Sequence, residues 1–156
     1  MLVDISSIAN IISSLALVIT AFVVLQELRQ TNRLAKAANT ETLVSLSSPF
    51  NMSLIRDREM AELYVEGAKR FSGMDHVDKF RYRTLLMWWL ILHENIYYQW
   101  KQDLLDTHSY NAWARELANF VREQNLRTHW DELEIFFQDA FQDHITKLIH
   151  AADSNC

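Results

Sequence analysis

The residues best suited to chemistry form one polar cluster directly after eight consecutive apolar residues, Leu85–Leu92. The cluster consists of His93, Glu94, Asn95, Tyr98 and Gln99. On a helix, Glu94 lies one turn from Tyr98, and Asn95 lies one turn from Gln99. Polar side chains in such apolar surroundings must be hydrogen-bonded or must line a cavity. The sequence therefore predicts a ligand or proton-handling pocket or, as the favoured interpretation, a buried polar network that fixes helix register.

Metal-ligating patterns are weaker. His129 and Glu132 lie one helical turn apart, with Asp139, Asp143 and His144 further along, but a solvated acidic face is the favoured interpretation. No Glu is followed by His three residues later, the spacing used by helical di-iron proteins. The sequence also has no HExxH, P-loop or GxSxG motif. We therefore predict no catalytic residue, metal or cofactor.

A loose nuclease pattern occurs twice. Helical nucleases of the HEPN type use Arg followed by His after four to six residues, and Arg70/His76 and Arg122/His129 satisfy this rule. Ten Arg and six His make such matches expected by chance. Each Arg is followed by Phe71 or Glu123, where that motif more usually has Asn, Asp or His. An RNase activity is therefore only an alternative hypothesis.

The composition predicts an all-α protein. Gly occurs twice and Pro once among 156 residues, whereas sheets need turns that are rich in these residues. The net charge of −5 argues against binding to duplex nucleic acid, which needs a basic face. The single cysteine, Cys156, allows no intrachain disulfide, and its role is not predicted.

An uncharged segment, residues 5–26, predicts a transmembrane helix. The 22 residues between Asp4 and Glu27 carry no charge and span roughly 33 Å as a helix, about the thickness of a hydrocarbon core. Lys and Arg occur only after the segment, at Arg29, Arg33 and Lys36. The positive-inside rule then places residues 1–4 outside and the chain after the span in the cytosol.

The predicted transmembrane helix has a polar face. Its positions follow a spacing of three and four residues, and they are Ser6, Asn10, Ser13, Leu17 and Thr20. Small polar residues mark helix–helix contacts in membranes, and an Asn that faces lipid is costly. The face therefore predicts a homo-oligomer interface. A pore lined by the same residues is the alternative. If the Ser and Thr hydroxyl groups bond only the backbone carbonyls of their own helix, they indicate neither an interface nor a pore.

The rest of the chain predicts a stalk followed by a helical bundle. Residues 27–48 are rich in good helix formers and predict a stalk that ends at Ser47 before Pro49. Small side chains on the stalk predict a second contact between copies or, as the alternative, a contact with the helical domain of the same chain. Residues 49–156 predict a cytosolic bundle of about four to five helices. Its central helix, from about His76 to Leu104, contains the eight-residue apolar run and is expected to be buried all round.

The helix ends follow from capping residues. Asp57 and Asp75 are predicted N-caps, and Gly73 a C′ residue. A helix is expected from about Ser109 to Gln124 after a turn that begins at Asp106. The last helix is expected from Thr128, as its N-cap, to Ala151, with a break near Gln138.

The layout resembles a family of small bacterial single-span membrane-anchored helical proteins. The resemblance rests on the N-terminal span, the polar stalk, Glu59–Leu63 (EMAEL) and His93–Gln99 (HENIYYQ). It implies a bacterial inner-membrane protein and carries over no active site. The layout is also similar to membrane accessory proteins of RNA-targeting CRISPR systems, which combine an N-terminal span with a HEPN-like domain and form pores. Membrane lipid and a second copy are the expected partners, duplex nucleic acid is not expected, and the sequence does not identify a small-molecule ligand.

Overall fold

Residues 2–154 are described by the computed structural model, apart from the side chains of residues 2–6 and 8. They form six α-helices and two short 3-10 helices without a strand, which confirms the all-α prediction. The 3-10 helices are Phe71–Gly73 and Glu134–Phe136. The α-helices are α1 (Leu2–Arg56), α2 (Arg58–Arg70), α3 (His76–Lys101), α4 (Thr107–Glu123), α5 (Arg127–Leu133) and α6 (Asp139–Asp153).

The chain divides into two compact units, Met1–Ala38 and Asn39–Cys156. In the described part of the first unit, every side chain except that of Lys36 is exposed. The second unit holds the hydrophobic core, which begins at Leu43 and ends at Ile149. The first unit therefore exposes its side chains, many of them apolar, whereas the second unit buries its apolar side chains in a core.

The predicted end of the first helix is wrong, because α1 continues through Pro49 to Arg56. Proline inside a helix removes one backbone hydrogen bond and costs about 3 kcal/mol. Phe50 offsets this cost, since it is 9% exposed and its ring stacks on Trp88 at 4.9 Å between centroids. Tertiary packing thus overrides the local signal.

Three aspartates cap helices through short side-chain contacts. Asp57 accepts from the backbone N–H of Glu59 at 2.9 Å, and Asp75 from that of Asp78 at 2.9 Å, which confirms both predicted N-caps. Asp106 accepts from the Ser109 N–H, also at 2.9 Å. Each bond satisfies a donor that the helix itself leaves unpaired. These caps fix where α2, α3 and α4 begin.

Two predicted end residues have other roles. Thr128 does not cap the last segment, because α5 begins at Arg127 after Leu126 without a side-chain cap. Gly73 ends a 3-10 helix with a negative φ, so it is not a left-handed C′ residue. The break predicted near Gln138 is confirmed, since α6 begins at Asp139.

The helices α3 and α4 end in left-handed residues that are not glycine. Asp103 has φ 57° and Asn125 has φ 46°. In α4, the Leu126 N–H reaches back to the Val121 carbonyl at 3.0 Å, and in α3 the Leu104 N–H bonds the Gln99 carbonyl at 2.8 Å. These are Schellman motifs, in which Asn or Asp replaces the usual Gly. They end α3 at Lys101 rather than at Leu104.

The central helix α3 packs against α2 and α4. Its inner face includes Leu86 and Leu90, both 0% exposed, and it joins α4 through the stacked rings of Trp100 and Tyr110, 4.1 Å apart. The prediction that the apolar run is buried all round is wrong at Ile91, which is 52% exposed. An outer face of α3 is therefore open.

Candidate functional site

The polar face of α1 is exposed wherever its side chains are described. Asn10, Ser13, Leu17 and Thr20 are all exposed, and the side chain of Ser6 lies outside the described part. Asn10 makes no side-chain hydrogen bond to another described residue, although its carbonyl accepts from the Ser14 hydroxyl at 2.8 Å. The Thr20 hydroxyl bonds the Ala16 carbonyl at 2.8 Å. The side chain of Asn10 is therefore a polar group that the helix itself does not satisfy.

The same helix is long and apolar enough to cross a membrane. Its most apolar window has a mean hydropathy of 2.1, and none of that window is buried. A core helix of a folded domain would instead be covered by other elements. The exposed apolar side chains run from Ile11 to Leu28.

His93 lies in the core and faces aromatic rings. It is 2% exposed, its ring lies edge-on to Trp89 at 5.3 Å and to Trp113 at 6.0 Å, and its Nε2 has no hydrogen-bond partner. Burial, assisted by His144, lowers the pKa of His93 to about 3. The imidazole is therefore neutral at physiological pH and is held by packing.

Glu94 and Tyr98 meet the start of α6. A Glu94 carboxylate oxygen accepts from the backbone N–H of Gln138 at 2.8 Å, and Tyr98 contacts the backbone of Phe141. The carboxylate takes the role that an acid at the third position plays in a capping box, and it also suits the positive end of the helix dipole. Partial burial and the Glu94 charge raise the pKa of Tyr98. This pair positions α6 against α3.

Asn95 and Gln99 form a separate pair. The Gln99 amide donates to the Asn95 side-chain oxygen at 2.7 Å, one turn away on the same helix. The structure thus brings Glu94 together with Tyr98 and Asn95 together with Gln99, while His93 points into the core. The five residues do not share one cavity, and their contacts favour the structural interpretation.

The described residues offer no metal centre, because residues 2–154 contain no group of three or more His, Cys, Asp or Glu side chains placed to hold an ion. Of the two nuclease-like pairs, Arg70 and His76 are both exposed, whereas Arg122 and His129 have contacts of their own with other residues. His129 is 3% exposed and packs under Phe71 at 4.3 Å between rings, while Arg122 donates to Asn119 at 2.9 Å. Burial, with Arg83 nearby, lowers the pKa of His129. His129 therefore has no open path to a large substrate.

One open surface was missed in the sequence. The outer side of α3 exposes Val77, Phe80 and Ile91, and Phe80 borders a groove of about 390 Å³. The spacing of Val77, Phe80, Thr84, Met87 and Ile91 alternates between three and four residues and could have revealed the stripe. The unbroken apolar run hid it, because that run predicts burial on every side.

No family model, curated protein or solved structure matches the chain. The resemblance to small membrane-anchored bacterial proteins therefore stays a prediction.

Proposed function

We propose that this protein is a single-pass protein of a bacterial inner membrane that forms homo-oligomers through the polar face of α1. Its helical domain lies in the cytosol and acts in assembly or regulation. The observation that carries the proposal is an uncharged, unburied helical segment with Asn10 on its surface.

Membrane insertion is supported by the surface of α1. Large apolar side chains from Ile11 to Leu28 are exposed, and a continuous apolar surface of this kind is not stable in water. The helix satisfies its own backbone, as a chain in lipid must. The basic residues Arg29, Arg33 and Lys36 favour a cytosolic location for the C-terminal unit.

Assembly is supported by the difference between Asn10 and two hydroxyl-bearing residues of the same helix, Ser14 and Thr20. Ser14 and Thr20 bond backbone carbonyls one turn back, so lipid can surround them at little cost. The Asn10 amide has two donors and one acceptor oxygen to satisfy. A second helix that presents the same Asn meets this need in a symmetric contact.

The test compares Asn10→Leu with Ser14→Ala. We expect the wild-type chain to be oligomeric by mass measurement in lipid nanodiscs. Asn10→Leu should shift the population toward monomer by about fivefold, since an interhelical polar contact in lipid contributes about 1 kcal/mol. Ser14→Ala should leave the distribution unchanged because its hydroxyl bonds its own helix. A wild-type chain that is strictly monomeric would refute the proposal.

A membrane pore is the second candidate, and it rests on the same Asn10. Loaded vesicles containing the protein should then leak ions, and Asn10→Leu should change the leak rate while the helical fold is retained. Unchanged ion flux on adding the protein would exclude the pore but not the oligomer. A HEPN-type RNase has less support, because His129 is buried and Arg122 bonds Asn119.

A further inference from the structure

The outer side of α3 carries an apolar stripe with the spacing of a helix–helix seam. Its members are Val77, Phe80, Thr84, Met87 and Ile91, which alternate at three and four residues as in a coiled coil. Val77 is 65% exposed, Phe80 71% and Ile91 52%. Seams of this kind are normally covered by another helix.

Open grooves flank this stripe. One has a volume of about 390 Å³, and Phe50, Met60 and Trp88 line its wall. The other has a volume of about 400 Å³, and Leu133 and Phe136 line it. Phe80 and Thr84 border both grooves, so they form a ridge between them.

We propose that the stripe and its two grooves, here called the α3 face, form an interface between two copies of this chain. A ridge that lies directly beside a groove can be self-complementary, because a two-fold axis places each ridge in the partner's groove. The inference rests on the proposed assembly and deepens it by adding a contact in the helical domain.

The exposed area fits a dimer contact held by a membrane anchor. An aromatic side chain buries about 150–250 Å² when it is covered, so Phe80 and Phe136 alone offer on the order of 200–300 Å². With Val77, Ile91 and the groove walls, the α3 face offers roughly 500–600 Å² per copy, near the lower bound of specific interfaces. Two copies tethered to one membrane meet at high effective concentration, which makes an interface of this size sufficient.

The charges at the rim favour a second copy over a lipid surface. Arg81 lies 3.5 Å from Glu59 and 3.6 Å from Asp78, and Arg83 pairs with Glu132. Both arginines are thus neutralised, and the chain has a net charge of −5. Anionic lipid attracts surfaces with unpaired basic residues, which the α3 face lacks. These rim residues carry two positive and three negative charges, so the repulsion between two copies is weak and is screened by salt.

The test uses cysteine cross-linking of the full chain in nanodiscs of uncharged phosphatidylcholine. In a Cys156→Ser background, single cysteines are placed at Thr84 on the α3 face, at Ser13 on the polar face of α1 and at Asn111, which is exposed on α4. A short bifunctional thiol reagent then reports which pairs meet. We expect dimers from Thr84→Cys and Ser13→Cys and none above background from Asn111→Cys.

The two proposals fail in different ways. Cross-linking at Ser13→Cys without Thr84→Cys keeps the membrane oligomer and overturns the α3 interface. Cross-linking at Thr84→Cys without Ser13→Cys supports the interface and refutes the α1 contact. In whole membranes, a Thr84→Cys product of a mass other than a dimer would show a different partner and overturn the inference. Quenching of a fluorophore at Thr84→Cys by spin-labelled lipid would place the face on the bilayer and also overturn it.

A substitution on the ridge gives an independent readout. Phe80→Glu should reduce Thr84→Cys dimers about tenfold, because the dimer would bury an unpaired carboxylate, and it should leave Ser13→Cys dimers unchanged. Val65→Glu is the matched control, since Val65 is exposed on α2 and lines neither groove. Equal dimer yields for Phe80→Glu and Val65→Glu would overturn the interface. Circular dichroism and thermal melting check that both variants keep the fold.

Discussion

The imidazole of His93 is a buried titratable group whose pKa is strongly shifted by the core. His93 is buried among tryptophan rings, and burial lowers its pKa from 6.5 to about 3. The unfolded chain therefore binds a proton near pH 6.5 that the folded chain binds only near pH 3. Stability from this group is complete above pH 6.5 and decreases as the pH falls toward 3. Burial also lowers the pKa of His129 and His144, which adds to the same trend.

We predict that His93→Phe weakens the acid sensitivity of the fold. The variant removes one titrating group, so the slope of unfolding free energy against pH should decrease by up to about 1.4 kcal/mol per pH unit between pH 6 and pH 4. This slope is obtained from urea unfolding in detergent at several pH values, followed by tryptophan fluorescence. Phe120→Leu is the control, because Phe120 is buried beside Trp89 and carries no titrating group, so its loss should change the stability without changing the slope. If the His93→Phe variant had the same slope as the wild type, His93 would not be a source of the acid sensitivity.

The polar cluster and its pairings along α3 could be predicted from the sequence, but its contact with α6 could not. Its position after an apolar run predicts buried polar contacts, and the spacing of Asn95 and Gln99 predicts their bond. The Glu94 contact depends on Gln138, which is 44 residues away. No local pattern indicates that a carboxylate on α3 will meet the start of α6.

The packing of α2 against α3 depends on the absence of one side chain. A Cβ at Gly67 would lie 2.3 Å from Cε2 of Tyr82. Tyr82 is 0% exposed, and its hydroxyl donates to the side-chain oxygen of Gln124 at 3.1 Å. The ring cannot move aside without losing that bond.

We predict that Gly67→Ala destabilises the protein by about 1–3 kcal/mol through overpacking. Helix propensity alone would give the opposite sign, since Ala is better than Gly inside a helix by about 1 kcal/mol. Gly73→Ala is the matched control, because nothing lies within 4 Å of its Cβ position and its φ is negative. Thermal melting compares the two. A Gly67→Ala variant at least as stable as Gly73→Ala would show that α2 and α3 do not approach so closely.

Helix ends were predictable where the contacts are local. Asp57 and Asp75 bond backbone groups two or three residues away, so their sequence signals suffice. The Thr128 prediction was wrong because the Thr128 N–H already bonds the Asn125 carbonyl at 3.0 Å, so this residue lies within the turn that leads into α5. The Pro49 prediction was wrong because of a long-range contact. The helix passes Pro49 because Phe50 is anchored by Trp88, a contact that capping rules do not include.

At the scale of the whole molecule, exposed apolar residues concentrate in two places. One is the helical surface from Ile11 to Leu28, and the other is the α3 face. The first surface was predictable, because a long uncharged segment can be recognised in the sequence without knowing how the helices pack. The second has a spacing that is visible in the sequence, but the unbroken apolar run hides it, and only the positions of α2 and α5 show which side of α3 stays open. The two surfaces belong to different units, so they can be tested separately.

We predict that a chain starting at Asn39 folds and leaves the membrane fraction. All core residues lie from Leu43 onward, and the Asn39 side chain keeps its bond to the Leu104 carbonyl at 3.1 Å. Its melting temperature should match that of the second unit in the full chain, measured by circular dichroism. Because the α3 face remains, the soluble chain should associate only at high concentration, where the membrane no longer raises the local concentration.

A chain starting at Asp57 is the control for the role of the last turns of α1. It lacks Leu43, which is 0% exposed, and Phe50, which contacts three aromatic rings. Deleting a buried Leu and a buried Phe costs about 5–10 kcal/mol, which is comparable to the whole stability of a domain. We therefore expect this shorter chain to be unfolded or insoluble. Two chains of equal stability would show that residues 39–56 are not part of the core, and the unit would then begin at α2.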